Sequence, residues 1–383
     1  MAHFFSPRKL KHLLSFDRRR SRGFTLLELL VAMIIGSLIV IALLTLVVQL
    51  TETNQKDAAR SQVQQDMQAA TDFVAQELRE AVFVYNGECL QGPGPLPTAT
   101  TLSTTCPGII KHIPATVSTG NRTPVLAFWR TKKLPTKIST LCGTNAADLS
   151  DSTKAATNSL VLAGVPCLAG YTYSLVVYAI DTGDSATWSG NARLIRYELS
   201  QFIDNAATEN DQNTGYVNPL QDSKYKFQQW PYALDKNNNL INRQTVAVSK
   251  DVPGAQKPGI PTGSPANPAV LVDFLDDKVA NGADVPTPTC VEFGADAASQ
   301  AKALTPSATN APRGFYACVR GGGLDARTTG GQDQEMSGEN QDVLLVMKGN
   351  VSGQSGFSKN FNNSERISPL QTRVLIRGVI DKR

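Results

Sequence analysis

Histidine is nearly missing. The 383 residues hold 3, and two of them, His3 and His12, fall within the first 23 positions. A histidine-based metal site or a Ser/His/Asp arrangement would have to rest on His112, whose setting, KHIPAT, reads as an ordinary loop. No C-x-x-C pair occurs, which removes the common zinc and redox motifs. Proline is absent from Phe24 to Gly92, and Glu28 is the single charged residue between Phe24 and Leu50. These absences point to a protein without catalytic residues, metal or cofactor.

The basic balance is also local. The whole chain carries +4, but its first 23 residues hold seven basic side chains (Arg8, Lys9, Lys11, Arg18, Arg19, Arg20, Arg22) against Asp17, a net +6. The remainder is therefore −2, and it offers no electrostatic reason to seek nucleic acid. The short basic run RTKK (130–133) follows an aromatic strand edge and does not change that reading.

The apolar stretch Phe24–Leu50 would form a helix of about 40 Å, enough to cross a hydrocarbon core of about 30 Å. Positive charge stands only on its N-terminal flank, which predicts a cytoplasmic leader and an exported remainder. A secretory signal peptide is too short for this run and needs a small-residue cleavage site that VVQLTETNQ lacks. A plain signal anchor fits length and charge but leaves Glu28 unexplained, because a carboxylate in hydrocarbon is costly and usually functional. Snorkelling of Glu28 to the interface is the alternative to such a role.

RGFTLLELLVAM (22–33) resembles the prepilin motif of type IV pilins and type II secretion pseudopilins. The resemblance implies cleavage after Gly23 by a prepilin peptidase, N-methylation of Phe24, and Glu28 as the residue of assembly. It also implies partners: other pilins or pseudopilins through the N-terminal helix, an inner-membrane assembly platform, and the membrane itself. A carboxylate pairing with the new amine of a neighbouring Phe24 would make Glu28 tolerable in an apolar filament core. The proline-free helix departs from many major pilins and leans toward a pseudopilin or minor pilin.

Past the membrane segment, apolar residues recur at Val63, Met67, Ala70, Val74, Leu78, Ala81 and Tyr85. These steps of three and four predict one buried stripe, with Asp66, Asp72, Glu77 and Arg79 on the other faces. A single helix of roughly 90 Å from Phe24 to Tyr85 follows, broken only at NGECLQGPGP. A coiled-coil seam is the alternative use of the stripe, and it would leave the later strands uncovered.

From residue 86 the texture changes to strands and polar loops. Strands are predicted at 124–130, 171–181, 192–200, 269–277, 314–321, 342–349 and 372–380, with 171–181 and 192–200 as a hairpin or neighbouring pair. Helix–strand alternation is missing, so the expected class is α+β: a long spine helix packed on an antiparallel sheet, with long disulfide-stapled loops. The tyrosine-rich strand followed by LIRYEL is similar to PilW-type minor pilins and J-type pseudopilins, with pseudopilins of cyanobacterial polysaccharide secretion as a further likeness. The organisation read from this is leader 1–23, membrane or filament-core helix 24–50, amphipathic helix 51–85 and exported body 86–383. The connections 131–158, 201–268, 281–313, 321–341 and 350–371 are expected to form an outward or tip surface.

Six cysteines, Cys89, Cys106, Cys142, Cys167, Cys290 and Cys318, all follow the apolar run on the exported side. An even count there reads as three disulfides, with fifteen connectivities open. Pairing sequence neighbours, Cys89–Cys106, Cys142–Cys167 and Cys290–Cys318, staples each loop-rich stretch and is the favoured set. DKNNNL (235–240) begins like a calcium loop but has Leu240 where glycine is needed. ENDQN (209–213) is a second acidic cluster of the same kind, and GGG (321–323) precedes no helix pattern.

Overall fold

A computed structural model describes residues 23–92, 96–102, 105–183, 187–222, 227–249, 254–261, 268–276, 288–294, 296–306, 314–321, 341–358 and 365–376. The leader, Gly322 and Gly323, and residues 377–380 of the last predicted strand lie outside them. The chain forms two compact units, residues 1–55 and 56–383.

Helix α1 covers Leu26–Arg79. In the first unit every described side chain, from Gly23 to Gln55, is exposed. The helix forms there because the sequence is rich in leucine and alanine and free of proline. Its few hydroxyls are satisfied within the helix: Ser37 Oγ donates to Ile34 O at 2.8 Å and Thr45 Oγ1 to Ala42 O at 2.9 Å.

The second unit holds two antiparallel sheets. The first contains β1 (Ala81–Val84), β2 (Arg122–Lys133), β3 (Tyr171–Asp181), β4 (Arg193–Leu199) and β7 (Ala269–Val272), in the order β1-β2-β3-β4-β7. The ribbon β5 (Tyr232–Leu234) and β6 (Leu240–Asn242) stands apart. The second sheet runs β11 (Leu370–Leu375), β10 (Asp342–Met347), β9 (Phe315–Arg320), β8 (Leu304–Thr305). The predicted pair 171–181 and 192–200 is β3 and β4, antiparallel with Leu175 opposite Leu199. The strand expected over 269–277 stops at Val272, and Phe274 takes a positive φ of 65° that ends the run.

The helical stripe meets both sheets. Val63, Met67, Ala70, Val74 and Leu78 share one core with Leu126, Phe128, Val176 and Tyr178 of the first sheet and Phe315, Ala317, Val343, Leu345 and Met347 of the second. Burial of each of the Val, Leu, Met and Phe side chains contributes roughly 1.5–3 kcal/mol. This packing excludes the coiled-coil use of the stripe within the second unit. It also corrects two expectations. The helix ends at Arg79, not Tyr85, because Ala81–Val84 is β-branched and aromatic and pairs with β2, Phe83 opposite Trp129. Glu77, expected on an outer face, is 6% exposed, since a helix held between two sheets buries more than one stripe.

The first sheet is covered on its other face too. Phe83, Tyr85, Trp129, Leu175, Val177, Tyr197, Tyr216, Phe227 and Trp230 form a second core. Tyr85 anchors it: its hydroxyl donates to Phe227 O at 2.6 Å and accepts from Trp129 Nε1 at 2.9 Å. The segment 201–268, expected as outward loop, thus supplies aromatic cover through Tyr216, Phe227 and Trp230. The connection 131–158 is likewise not loop: α4 (Thr136–Thr144), α5 (Ala146–Ser150) and α6 (Ser152–Ala155) fill it, followed by α7 (Ser159–Leu162). These helices enclose a small core of Leu134, Ile138, Cys142, Leu160, Ala163, Val165, Phe202 and Ala206.

The structure joins Cys89 to Cys106, Cys142 to Cys167 and Cys290 to Cys318. Gln341 ties the sheets together by imitating a strand: its Oε1 accepts from Val84 N–H at 2.8 Å and its Nε2 donates to Val84 O at 2.7 Å. Gln341→Ala strands both backbone groups and is expected to lower unfolding stability by about 2 kcal/mol. Gln341→Glu, whose ionised carboxylate would face the Val84 carbonyl oxygen at a buried position, should cost at least as much in the same denaturant titration.

Candidate assembly site at the helix start

Gly23, Phe24 and Thr25 precede the first turn of α1 in extended or irregular backbone. Thr25 is the N-cap: its Oγ1 accepts from Glu28 N–H at 3.3 Å, and its carbonyl accepts from Leu29 N–H at 3.2 Å. Glu28 therefore stands at the third helical position, where the positive end of the helix dipole favours a carboxylate. The Thr-x-x-Glu spacing carries this capping signal in the sequence, although the apolar run around it draws the reading toward membrane alone.

Phe24 is 79% exposed, and Leu26, Leu27, Met33, Ile35 and Leu38 are exposed with it. An apolar surface of that size marks a membrane or protein contact. Among the described residues the Glu28 carboxylate has no hydrogen-bond or ion-pair partner, whereas Ser37 and Thr45 are satisfied. A methyl group added at Gly23 would meet nothing within 4 Å. Packing among the described residues therefore does not require glycine there.

Residues 18–44 match the prokaryotic N-terminal methylation motif. Its N-terminal segment is prepilin-like, similar to that of type IV pilins and pseudopilins, and α1 is a helix long and apolar enough to cross a membrane. No curated protein and no solved structure matches the chain. Within the motif lie Gly23, Phe24, Thr25 and Glu28, the residues gathered at the helix start.

The remaining candidates are absorbed by the fold. His112 sits in a 3₁₀ turn and is buried, not in an open loop. Gln244 Nε2 donates to His112 O and Gly215 O, so Gln244 Oε1 faces His112 Nδ1 as acceptor at 2.9 Å. That assigns the proton to Nδ1. Burial holds the imidazole down to about 4, against a raising contribution from the Gln244 bond. The sign follows: a proton binds the unfolded chain more tightly, so this stability is full above pH 6.5 and is lost as pH falls through about 4. Its size is about 3 kcal/mol. Chemical unfolding between pH 6.5 and about 4.5 should show the decline, and His112→Asn should flatten it.

Asp235 of DKNNNL caps the β5–β6 turn, accepting from Asn237 N–H and Asn239 N–H at 2.8 Å each. Asp211 of ENDQN likewise accepts from Ala207 N–H and Thr208 N–H at 2.9 Å. Neither carboxylate gathers others: among the described residues no group of three metal-ligating side chains occurs. Lys132 of RTKK pairs with Glu198 at 3.3 Å. Phe128 and Trp129 are both buried, on opposite faces of the first sheet.

Proposed function

We propose that the chain is a non-enzymatic minor pilin or pseudopilin. A prepilin peptidase cuts after Gly23, Phe24 becomes the N-methylated terminus, and α1 enters a type IV pilus-like filament from the cytoplasmic membrane. The observation that carries this reading is Glu28: one carboxylate on an otherwise apolar, exposed helical surface, without a partner in the described chain. A charge left so is costly in hydrocarbon. The amine of a neighbouring subunit's Phe24 neutralises it and fixes the alignment of adjacent helices. The freedom of space at Gly23 supports the same reading, because recognition by a peptidase then accounts for the glycine.

The role within the filament is initiation, capping or decoration, with the cytoplasmic leader removed and the body exported. Cleavage after Gly23 leaves at least 360 residues, a bulky subunit for close packing along a whole fibre. Three disulfides fit an oxidising compartment. Quantitative mass spectrometry of sheared filaments tests the role: this chain is expected far below the major subunit, and its deletion should reduce filament number or secretion. Abundance equal to the major subunit would overturn a tip or priming role. Intact filaments in the deletion strain, with the protein confined to the membrane fraction of undeleted cells, would favour an anchored exported binding protein instead.

A further inference from the structure

Helix α1 carries one buried carboxylate, two residues before its end. Glu77 Oε2 accepts from Arg196 Nε at 2.9 Å and Oε1 from Arg196 Nη2 at 2.7 Å, a two-pronged pair. The Tyr178 hydroxyl donates to Oε2, and Arg130 Nη1 lies 3.1 Å from Oε1. Glu198 completes the cluster against Arg196 at 2.9 Å, Lys132 at 3.3 Å and Arg130 at 3.4 Å. Burial weighs against the Glu198 charge, but Lys132, Arg130 and Arg196 outweigh it and hold the carboxyl down to about 2. Arg130 and Lys132 stand on β2, Tyr178 on β3, Arg196 and Glu198 on β4. Those are the three inner strands of the sheet.

The covalent route from the helix leads elsewhere. After Glu80 the chain enters β1, a four-residue edge strand whose only strand neighbour among the described residues is β2. A pull on the chain before Lys56 would reach β1 from its first residue and open its pairs one at a time. Apolar contacts along the stripe resist such a pull weakly, because they reform as surfaces slide. A bidentate charged pair is directional and fails over a fraction of an ångström.

We propose that the Glu77 cluster is a mechanical joint that passes an axial pull on α1 into the inner strands and spares the edge strand β1. Its use rests on the filament reading, in which the helix is held and the body loaded. Its existence does not, and it is tested on the isolated full chain.

The chain is held in detergent micelles between handles at its two ends in optical tweezers. Release of residues 56–88, up to the Cys89–Cys106 bond, gives a step of its own. At a constant force that holds the native chain, Glu77→Gln should shorten the lifetime before that step at least about tenfold, equivalent to about 1.4 kcal/mol. Asp72→Asn, an exposed carboxylate on the same helix with no ion pair among the described residues, should leave it unchanged. Glu77→Met fills similar space without a charge and carries the test if the glutamine variant does not fold. Combined with Arg196→Met, which removes the charge it would otherwise strand, it should unfold thermally near the native chain yet release early under force. Lifetimes of both Glu77 variants within about twofold of native, where a lost charged hydrogen bond predicts more, would overturn the joint. So would opening of β1 ahead of the helix in the native chain. Failure of the filament reading would leave all of these outcomes as they stand.

Discussion

On the proposed filament reading, Glu28→Leu is expected to remove the chain from sheared filaments while leaving its body folded. The side chain lies in the first turn of α1, where all described neighbours from Gly23 to Gln55 are exposed, so nothing in the body depends on it. In the proposed filament, the Phe24 amine of a neighbouring processed subunit would then sit in hydrocarbon without a counter-charge. Removing one member of a buried pair costs about 3–5 kcal/mol, which converts at 1.4 kcal/mol per decade to a loss of roughly a hundredfold or more. Immunoblotting of filament and membrane fractions reads that loss. Oxidised Cys89–Cys106, Cys142–Cys167 and Cys290–Cys318 in the membrane-bound variant show that the body is intact. Normal incorporation of Glu28→Leu would remove the assembly role of the carboxylate.

Gly87→Ala is expected to be the most damaging small change in the body. Gly87 opens α2 (Gly87–Gln91), and a Cβ there would lie 1.9 Å from the carbonyl oxygen of Leu304, the first residue of β8. That oxygen belongs to backbone and cannot rotate away, so α2 must lift from β8. Overpacking of this kind costs about 1–3 kcal/mol, and a backbone obstacle puts it at the upper end. Gly143→Ala is the matched control: it lies in α4 and its new methyl meets nothing within 4 Å. It should stabilise by up to about 1 kcal/mol through helix propensity. Denaturant midpoints of the two variants should move in opposite directions. A Gly87→Ala midpoint equal to native would mean that α2 and β8 do not approach as described.

Much of this architecture is legible in the residues, and the gaps have physical causes. The apolar run and the Val63-to-Leu78 stripe show themselves because one period dominates each. Strands β2, β3, β4, β9 and β10 show themselves because β-branched and aromatic residues cluster between turn signals. β1 hides because Ala81 and Tyr85 continue the helical spacing from Leu78 while the chain has already turned into a strand. Glu77 hides because a helical wheel assumes one covered side, and here two sheets enclose the helix. Tyr216, Phe227 and Trp230 are scattered among polar residues, so their joint role as a cover for the first sheet emerges only in three dimensions. The short helices α4 to α7 hide for a related reason, being too brief to display a period. At the helix start Gly23, Phe24 and Glu28 stand out as a motif, while Thr25 as the cap is overshadowed by the apolar run.

The most direct measurement is the mass of the N-terminal peptide of the protein taken from its native membranes. A peptide beginning at N-methylated Phe24 is the predicted result, and it would tie Gly23, Phe24 and Glu28 to filament assembly. A chain still beginning at Met1, in cells whose prepilin peptidase is active, would contradict the account and leave α1 as an ordinary membrane anchor for the exported body.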